Sequence, residues 1–136
     1  MALEKKLSDF SNALSRLNES YDKCILHQQD EEFSFYRDST IQRFEFTLEI
    51  AWKSIKTYLL EAEGIECRSP KSCIRELLAT AHLNAKQVQT LLEMVDDRNL
   101  ATHTYHESLA NEIFHSIKTY ISLFHILYDE LSSIKN

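Results

Sequence analysis

A single glycine and a single proline in 136 residues constrain the fold of this chain more than any other feature. Glycine and proline supply many of the tight turns of sheet proteins, and proline interrupts helices. A chain that nearly lacks both is expected to consist of helices joined by short connections. The shortage also excludes glycine-rich phosphate loops and dinucleotide fingerprints, which need several glycines. If this protein acts on a nucleotide, another chain must hold the triphosphate.

The spacing of apolar residues predicts five helices. The first carries one stripe in steps of three and four, broken by a polar interval at 27–32: Leu3, Leu7, Phe10, Leu14, Leu17, Tyr21 and Cys24. The second ends at Gly64, which is expected to adopt the left-handed capping conformation. We predict an all-α fold, an up-and-down four-helix-type bundle with an extra short helix, forming one domain over residues 1–136.

Capping residues predict where the later helices begin. Ser69 is expected to cap the short third helix, with Pro70 at its first position. Two pairs resemble capping boxes and are expected to start the fourth and the last helix: Asn84 with Gln87, and Thr104 with Glu107.

The second helix has more apolar residues than one buried stripe requires, because Phe46, Ile50 and Leu60 lie off its main stripe. A central helix that is buried on several sides explains the surplus. A dimer or partner face explains it equally well, and the two explanations are compatible.

Charge and cysteine content limit the possible functions. The net charge of −6 argues against a general nucleic-acid coat, although residues 67–136 are nearly neutral, with 8 acidic and 7 basic side chains. No apolar stretch is long enough for a membrane span, and no signal-peptide block is present, so we expect a cytoplasmic protein. Its three cysteines lack framework or zinc spacing, which predicts reduced thiols and no metal site.

The polar segment 96–105 is expected to lie between two helices, and it gathers groups suited to phosphate chemistry. Arg98 offers a planar fork of donors for phosphate oxygens, and His103 is a proton carrier near neutral pH. Tyr105 adds a hydroxyl, and the start of the last helix favours an anion. On the residues alone, a structural explanation remains open, in which Arg98 forms a salt bridge to Asp96 or Asp97.

Arg98, His103 and Tyr105 stand at the spacing Arg-x4-His-x-Tyr, which resembles the motif of the HEPN superfamily, where a polar residue such as Asn99 follows the Arg. The chain resembles one branch of it, the nucleotidyltransferase substrate-binding protein family. The other residues that carry the resemblance are Ala51-Trp52-Lys53, Gly64, Ser69-Pro70-Lys71 and Met94. Leu91 departs from the pattern, since many relatives have Trp there.

The resemblance implies a helical homodimer that accompanies a minimal nucleotidyltransferase. In one role, Arg98 and His103 of two subunits form a metal-independent ribonuclease without a cofactor, Asn99 orients the phosphate or the histidine, and the partner silences the enzyme by adding AMP to Tyr105. In the other role, the protein is a non-catalytic subunit that binds substrate for its partner.

Three basic residues near the third helix are further candidates for RNA binding. Arg68, Lys71 and Arg75 are spaced 3 and 4 apart and can continue a positive path for RNA. Alternatively, they form a solvated face that pairs with Glu66 and Glu76. Outside this group, we expect His106 to be an exposed first-turn residue, and we find no constellation around His82, His115 or His125.

Overall fold

The computed structural model describes residues 2–103 and 106–134, and this part of the chain is helical throughout apart from short connections. The helices are α1 (Ala2–Leu26), α2 (Phe33–Glu63), α3 (Pro70–Ala79), α4 (Ala85–Leu100) and α5 (Glu107–Ile134), and a 3₁₀ turn, Ala101–His103, follows α4. None of these helices is long and apolar enough to cross a membrane.

Contacts between the helices define an up-and-down bundle. Side chains of α2 donate to backbone carbonyls of α1 in antiparallel register: Arg43 to Arg16 (2.9 Å), Thr47 to Ala13 (3.3 Å) and Ser54 to Lys6 (3.4 Å). Near its end, α4 contacts the middle of α2, and residues just before α4 contact the ends of α2 and α5. Consequently α1, α2, α4 and α5 alternate in direction, with α3 as the extra short helix, as predicted.

The core lies where α1, α2 and α5 meet. The ring of Phe10 packs edge-on against Phe124, with centroids 5.9 Å apart, and Phe44 stacks on Tyr120 at 5.4 Å. All but one of the predicted apolar residues of α1 are buried, and Tyr21 is half-buried. Leu91, the one departure from the pattern of the resemblance, is a buried core residue of α4.

Most predicted helix ends are confirmed. Gly64 has φ +66°, and its N–H and that of Ile65 bind carbonyls in the last turn of α2. Ser69 caps α3 with Pro70 at its start, and Asn84 and Gln87 form the expected capping box of α4. In contrast, α5 begins at Glu107, whereas the predicted box placed Glu107 in the third helical position. Thr104 lies outside the described residues.

The prediction of three reduced thiols is wrong, because Cys67 and Cys73 form a disulfide while Cys24 is a buried free thiol. The connection after Gly64 folds back onto the first turns of α3, which brings the two Cα atoms within 5.2 Å. Spacing along the chain alone does not reveal this fold-back. Burial raises the pKa of Cys24 to about 11.

The prediction that His82 has no constellation is also wrong. Its ring bonds to Glu63, to Glu130 (Nδ1 to Oε2, 2.9 Å) and to the hydroxyl of Tyr58 (3.0 Å). His82 follows Ala81, which has φ +61° and ends α3 in a Schellman motif, with the His82 N–H bonded to the Leu77 carbonyl. The turn between α3 and α4 therefore contacts the ends of α2 and α5 through the side chain of His82.

Candidate functional site

Arg98 lies in the last turn of α4 and is held by a carboxylate of α2. Its Nη2 lies 2.6 Å from Oε2 of Glu49, which also accepts a hydrogen bond from the indole N–H of Trp52 (3.2 Å). The ammonium of Lys53 lies 3.2 Å from the other oxygen of Glu49. The guanidinium is therefore fixed in direction while about a third (32%) of its side chain stays exposed.

The charge state of Glu49 follows from these contacts. Burial raises the pKa of Glu49, but hydrogen bonds from Lys53 and Trp52 and the charge of Arg98 outweigh burial and lower the pKa below its usual value. Glu45, one turn earlier on α2, has a raised pKa because burial outweighs the attraction of Arg98. Glu49, which forms the ion pair with the arginine, is thus the more acidic of the two carboxyl groups.

Three consecutive residues at the end of α4 each contact a different helix. The carboxylate of Asp96 lies 2.6 Å from the ammonium of Lys71 on α3. Asp97 accepts a 2.6 Å hydrogen bond from the hydroxyl of Tyr120 on α5, and Arg98 reaches Glu49 on α2. The structural alternative that paired Arg98 with Asp96 or Asp97 is therefore wrong, because successive helical side chains point in different directions.

The Asp97–Tyr120 contact is half-buried and shifts both groups. Burial raises the pKa of Asp97, and although the bond from Tyr120 opposes this, the carboxylates of Asp96, Glu93 and Glu112 add to it. Burial and the bond to Asp97 raise the pKa of Tyr120 beyond its usual range. The phenol therefore acts as a permanent donor that anchors α4 to α5.

His103 ends the 3₁₀ turn after α4 and is exposed to solvent. Its backbone carbonyl accepts a hydrogen bond from the N–H of His106 (3.0 Å), which leads the chain into α5. Arg98 and exposed Asn99 belong to α4 itself, so the motif begins on a rigid helix rather than in the predicted interhelix connection. Tyr105, the predicted modification site, lies outside the described residues.

The first turn of α5 is tied to α2 by a buried arginine that sequence reasoning missed. Arg37 is 3% exposed, donates to Glu107 and to the Asn111 amide oxygen (3.1 Å), and pairs with Asp38 (3.0 Å). It lies four residues before Ile41 and so extends the buried stripe of α2 by one step. The signal in the sequence was a charged residue at the helical spacing of an apolar stripe, which indicates a buried charge.

Glu49 was missed as well, although its surroundings offered a signal. Trp52 and Lys53 follow it at three and four residues, the spacing that places side chains on one helix face. Both belong to the residues that carry the family resemblance.

Of the three basic candidates at and before the start of α3, only Lys71 contacts the segment that carries Arg98. Lys71 pairs with Asp96 of α4 and not with Glu66 or Glu76, whereas Arg68 and Arg75 are exposed. Arg68 and Lys71 both lie within the ring closed by the disulfide between Cys67 and Cys73. Across residues 2–103 and 106–134, no three potential metal ligands cluster.

The fold and site define an all-helical bundle that displays a fixed arginine and an exposed histidine at the end of one helix. The chain belongs to the family described as nucleotidyltransferase substrate binding protein like, whose model matches residues 5–133. The resemblance that the motif residues predicted is thereby confirmed. No curated relative matches the chain.

Solved structures share the fold. A protein from Thermus thermophilus is 38% identical and has a TM-score of 0.81, over 90% of this chain and 98% of that one. A tri-AMPylated HEPN toxin of Shewanella oneidensis, in complex with its MNT antitoxin, is 17% identical, with a TM-score of 0.72 over 96% of each chain. A toxin–antitoxin structure with AMP-PNP has 17% identity and a TM-score of 0.69, over 95% of this chain and 96% of that one.

Proposed function

We propose that this protein is the toxin-like partner of a minimal nucleotidyltransferase and acts as a metal-independent ribonuclease. The observation that carries the proposal is the fixed, partly exposed guanidinium of Arg98, followed within one short turn by exposed His103. A preoriented fork of donors suits the charge of a phosphorane, and imidazole is the side chain most commonly used for general acid–base catalysis. We also propose that it works as a homodimer, which brings a second histidine to the cleft.

The proposed reaction is an intramolecular transesterification of RNA. His103 removes the proton of a ribose 2′-hydroxyl, and the 2′-oxygen forms a bond to phosphorus while the bond to the 5′-oxygen breaks. His103 of the second copy donates the proton that the leaving 5′-oxygen needs. Arg98 stabilises the phosphorane, and Asn99 orients the phosphate. Arg68, Lys71 and Arg75 extend the RNA path from α3.

Partner control is the second part of the proposal. Tyr105 lies two residues after His103, so an AMP group on its hydroxyl adds negative charge next to the motif and repels RNA phosphates. The AMPylated Shewanella toxin, bound to its antitoxin, has this fold and supports the proposal by analogy. We expect the pair to act in the cytoplasm, where its RNA substrates are.

A second candidate function is a non-catalytic subunit that binds substrate for the nucleotidyltransferase, and the family description favours it. Under this alternative, Arg98 and His103 hold the substrate of the partner enzyme and RNA remains intact. The two functions differ in what the isolated protein does.

Cleavage of a labelled RNA by the partner-free protein distinguishes them. His103→Ala should reduce the rate about 100 to 10,000-fold, as expected for the loss of a general base. Arg98→Lys should recover little activity, because the planar fork is lost. His115→Ala removes an exposed histidine of α5 as a matched control and should leave the rate unchanged.

Adding the nucleotidyltransferase with labelled ATP tests the alternative. If wild-type protein leaves RNA intact while His103→Ala and Arg98→Ala weaken only partner-dependent labelling, the protein is a binding subunit. If cleavage stops once Tyr105 is labelled, and Tyr105→Phe escapes this control, the toxin-like function is supported.

A further inference from the structure

The disulfide between Cys67 and Cys73 ties the connection after α2 to the first turn of α3. In the cytoplasm, where we expect this protein to act, thiols are kept reduced, and the disulfides that do form are usually transient and either catalytic or redox-sensing. A purely structural role is therefore the less expected explanation for this bond. The surroundings of the two cysteines indicate how it can be opened.

One of the two cysteines borders a cavity at the protein surface. Cys67 is 7% exposed, whereas Cys73 is fully buried. The cavity has a volume of about 180 Å³, and its lining consists of Lys56, Leu60, Ile65, Glu66, Cys67 and Arg68. Two cationic side chains and one carboxylate leave the cavity with a positive balance, which attracts the thiolate of a reductant. Cys67 is thus the cysteine that an attacking thiolate can reach.

The position of Cys73 suits the other role in thiol–disulfide exchange, that of the leaving group. Cys73 is the fourth residue of α3, and its N–H bonds to the carbonyl of Ser69 (3.0 Å). At this end of a helix, the dipole favours negative charge and so opposes the cost of burying a departing thiolate. Attack at Cys67 with departure of Cys73 therefore fits both the access and the electrostatics of the pair.

The ring closed by the disulfide carries a contact to the candidate functional site. Lys71 lies within the ring, and its ammonium is 2.6 Å from the carboxylate of Asp96 on α4. Asp96 precedes Arg98 by two residues. Arg68, which we proposed as an RNA contact together with Lys71, lies in the same ring. Opening the bond consequently releases the segment that holds Lys71 on α4.

We propose that the Cys67–Cys73 pair is a thiol–disulfide exchange site for a dithiol reductant, and that reduction releases the start of α3 from α4. A thiolate of the reductant forms a bond to Sγ of Cys67 while the bond to Cys73 breaks, and Cys73 leaves with the electron pair and takes up a proton. The second thiol of the reductant then displaces Cys67. The reductant departs as a disulfide, having given two electrons to the pair.

The consequence for RNA rests on the proposed function, whereas the exchange itself does not. Arg68 and Lys71 are proposed to bind RNA and not to take part in its cleavage. Reduction should therefore raise KM for RNA and leave kcat nearly unchanged.

Labelling with iodoacetamide tests the exchange in the folded protein. After treatment with dithiothreitol and without denaturant, Cys67 should become labelled, while buried Cys24 should stay unlabelled as an internal control for the fold. In Cys73→Ser, oxidised glutathione should attach to Cys67, whereas in Cys67→Ser the buried Cys73 should remain free. Labelling of Cys67 that occurs only together with Cys24, or glutathione that prefers Cys73, would overturn the proposed site.

Hydrogen exchange measures the release of α3. Reduction should speed exchange of the α3 amides about 50-fold, the order expected from the chain entropy of so small a ring, while the α1 amides change little. The double variant Cys67→Ser with Cys73→Ser should show the same fast exchange without any reductant. Equal α3 exchange in the oxidised and reduced proteins would refute the release. Faster exchange on reduction, with RNA left intact in both states, would support the exchange site and refute the ribonuclease function.

Discussion

Replacing His82 tests the contacts that join the ends of α2 and α5. Burial lowers the pKa of His82, but hydrogen bonds and charges from Glu63 and Glu130 outweigh it, so the pKa lies above the usual value. The ring is largely buried, while both carboxylates are about 30% exposed. In His82→Gln the charge is lost and at most one of the two carboxylate bonds can be replaced.

The magnitude follows from these contacts. Hydrogen bonds that involve a charge contribute about 1.5–3 kcal/mol each to the free energy of unfolding. Partial exposure of the two carboxylates to solvent reduces this contribution. We therefore expect His82→Gln to lower the free energy of unfolding by about 2 kcal/mol at pH 6, which is a fall of roughly 8 °C in Tm for a domain of this size.

The effect depends on pH in a defined direction. A histidine whose pKa is raised in the folded state adds stability. This stability is fully present below the unfolded-state pKa, near 6.5, and disappears as the pH rises through the folded-state pKa. Urea unfolding of wild type and His82→Gln at pH 6 and pH 9 should give a difference that shrinks at pH 9. The exposed control His115→Gln should change stability by less than about 0.5 kcal/mol at both pH values. An equal cost for His82→Gln at pH 6 and pH 9 would refute the charged-histidine explanation.

Two further substitutions test local features of the fold by urea unfolding. Ala81→Gly should raise the free energy of unfolding by about 0.5–1 kcal/mol, since the left-handed conformation at φ +61° penalises alanine more than glycine increases the entropy of the unfolded chain. The control Ala79→Gly, in the right-handed last turn of α3, should lower the free energy of unfolding. A lower free energy of unfolding in both variants would contradict the Schellman assignment. Tyr120→Phe should lower the free energy of unfolding by about 1–2 kcal/mol at pH 7, and by less as the pH falls through the raised pKa of Asp97 and that carboxyl becomes protonated. A cost independent of pH would mean that the bond to the carboxylate contributes little.

The helices and their caps are predictable because they depend on local rules. The stripe from Leu3 to Cys24, the Ser69–Pro70 start of α3 and the Gly64 cap each follow from residues less than one turn apart or from simple periodicity. The motif was found for a related reason, since Arg98 and His103 lie only five residues apart in the chain.

The partners of those residues were not predictable because they come from distant segments. Glu49 is 49 residues before Arg98, and Glu63 and Glu130 approach His82 from two other helices. Cys67 and Cys73 are near in sequence, but their bond depends on a fold-back that spacing does not encode. Pairings of this kind are decided by how the helices pack.

The ends of RNA fragments provide the most direct test of the proposed chemistry. A defined single-stranded RNA incubated with the unmodified, partner-free protein in excess chelator should be cut, and mass spectrometry should find 2′,3′-cyclic phosphate and 5′-hydroxyl ends. These ends follow from attack by the 2′-oxygen with His103 as base and Arg98 at the phosphorane. RNA that stays intact after prolonged incubation, or 3′-hydroxyl ends that appear only with added metal, would contradict a metal-independent ribonuclease built on these two residues.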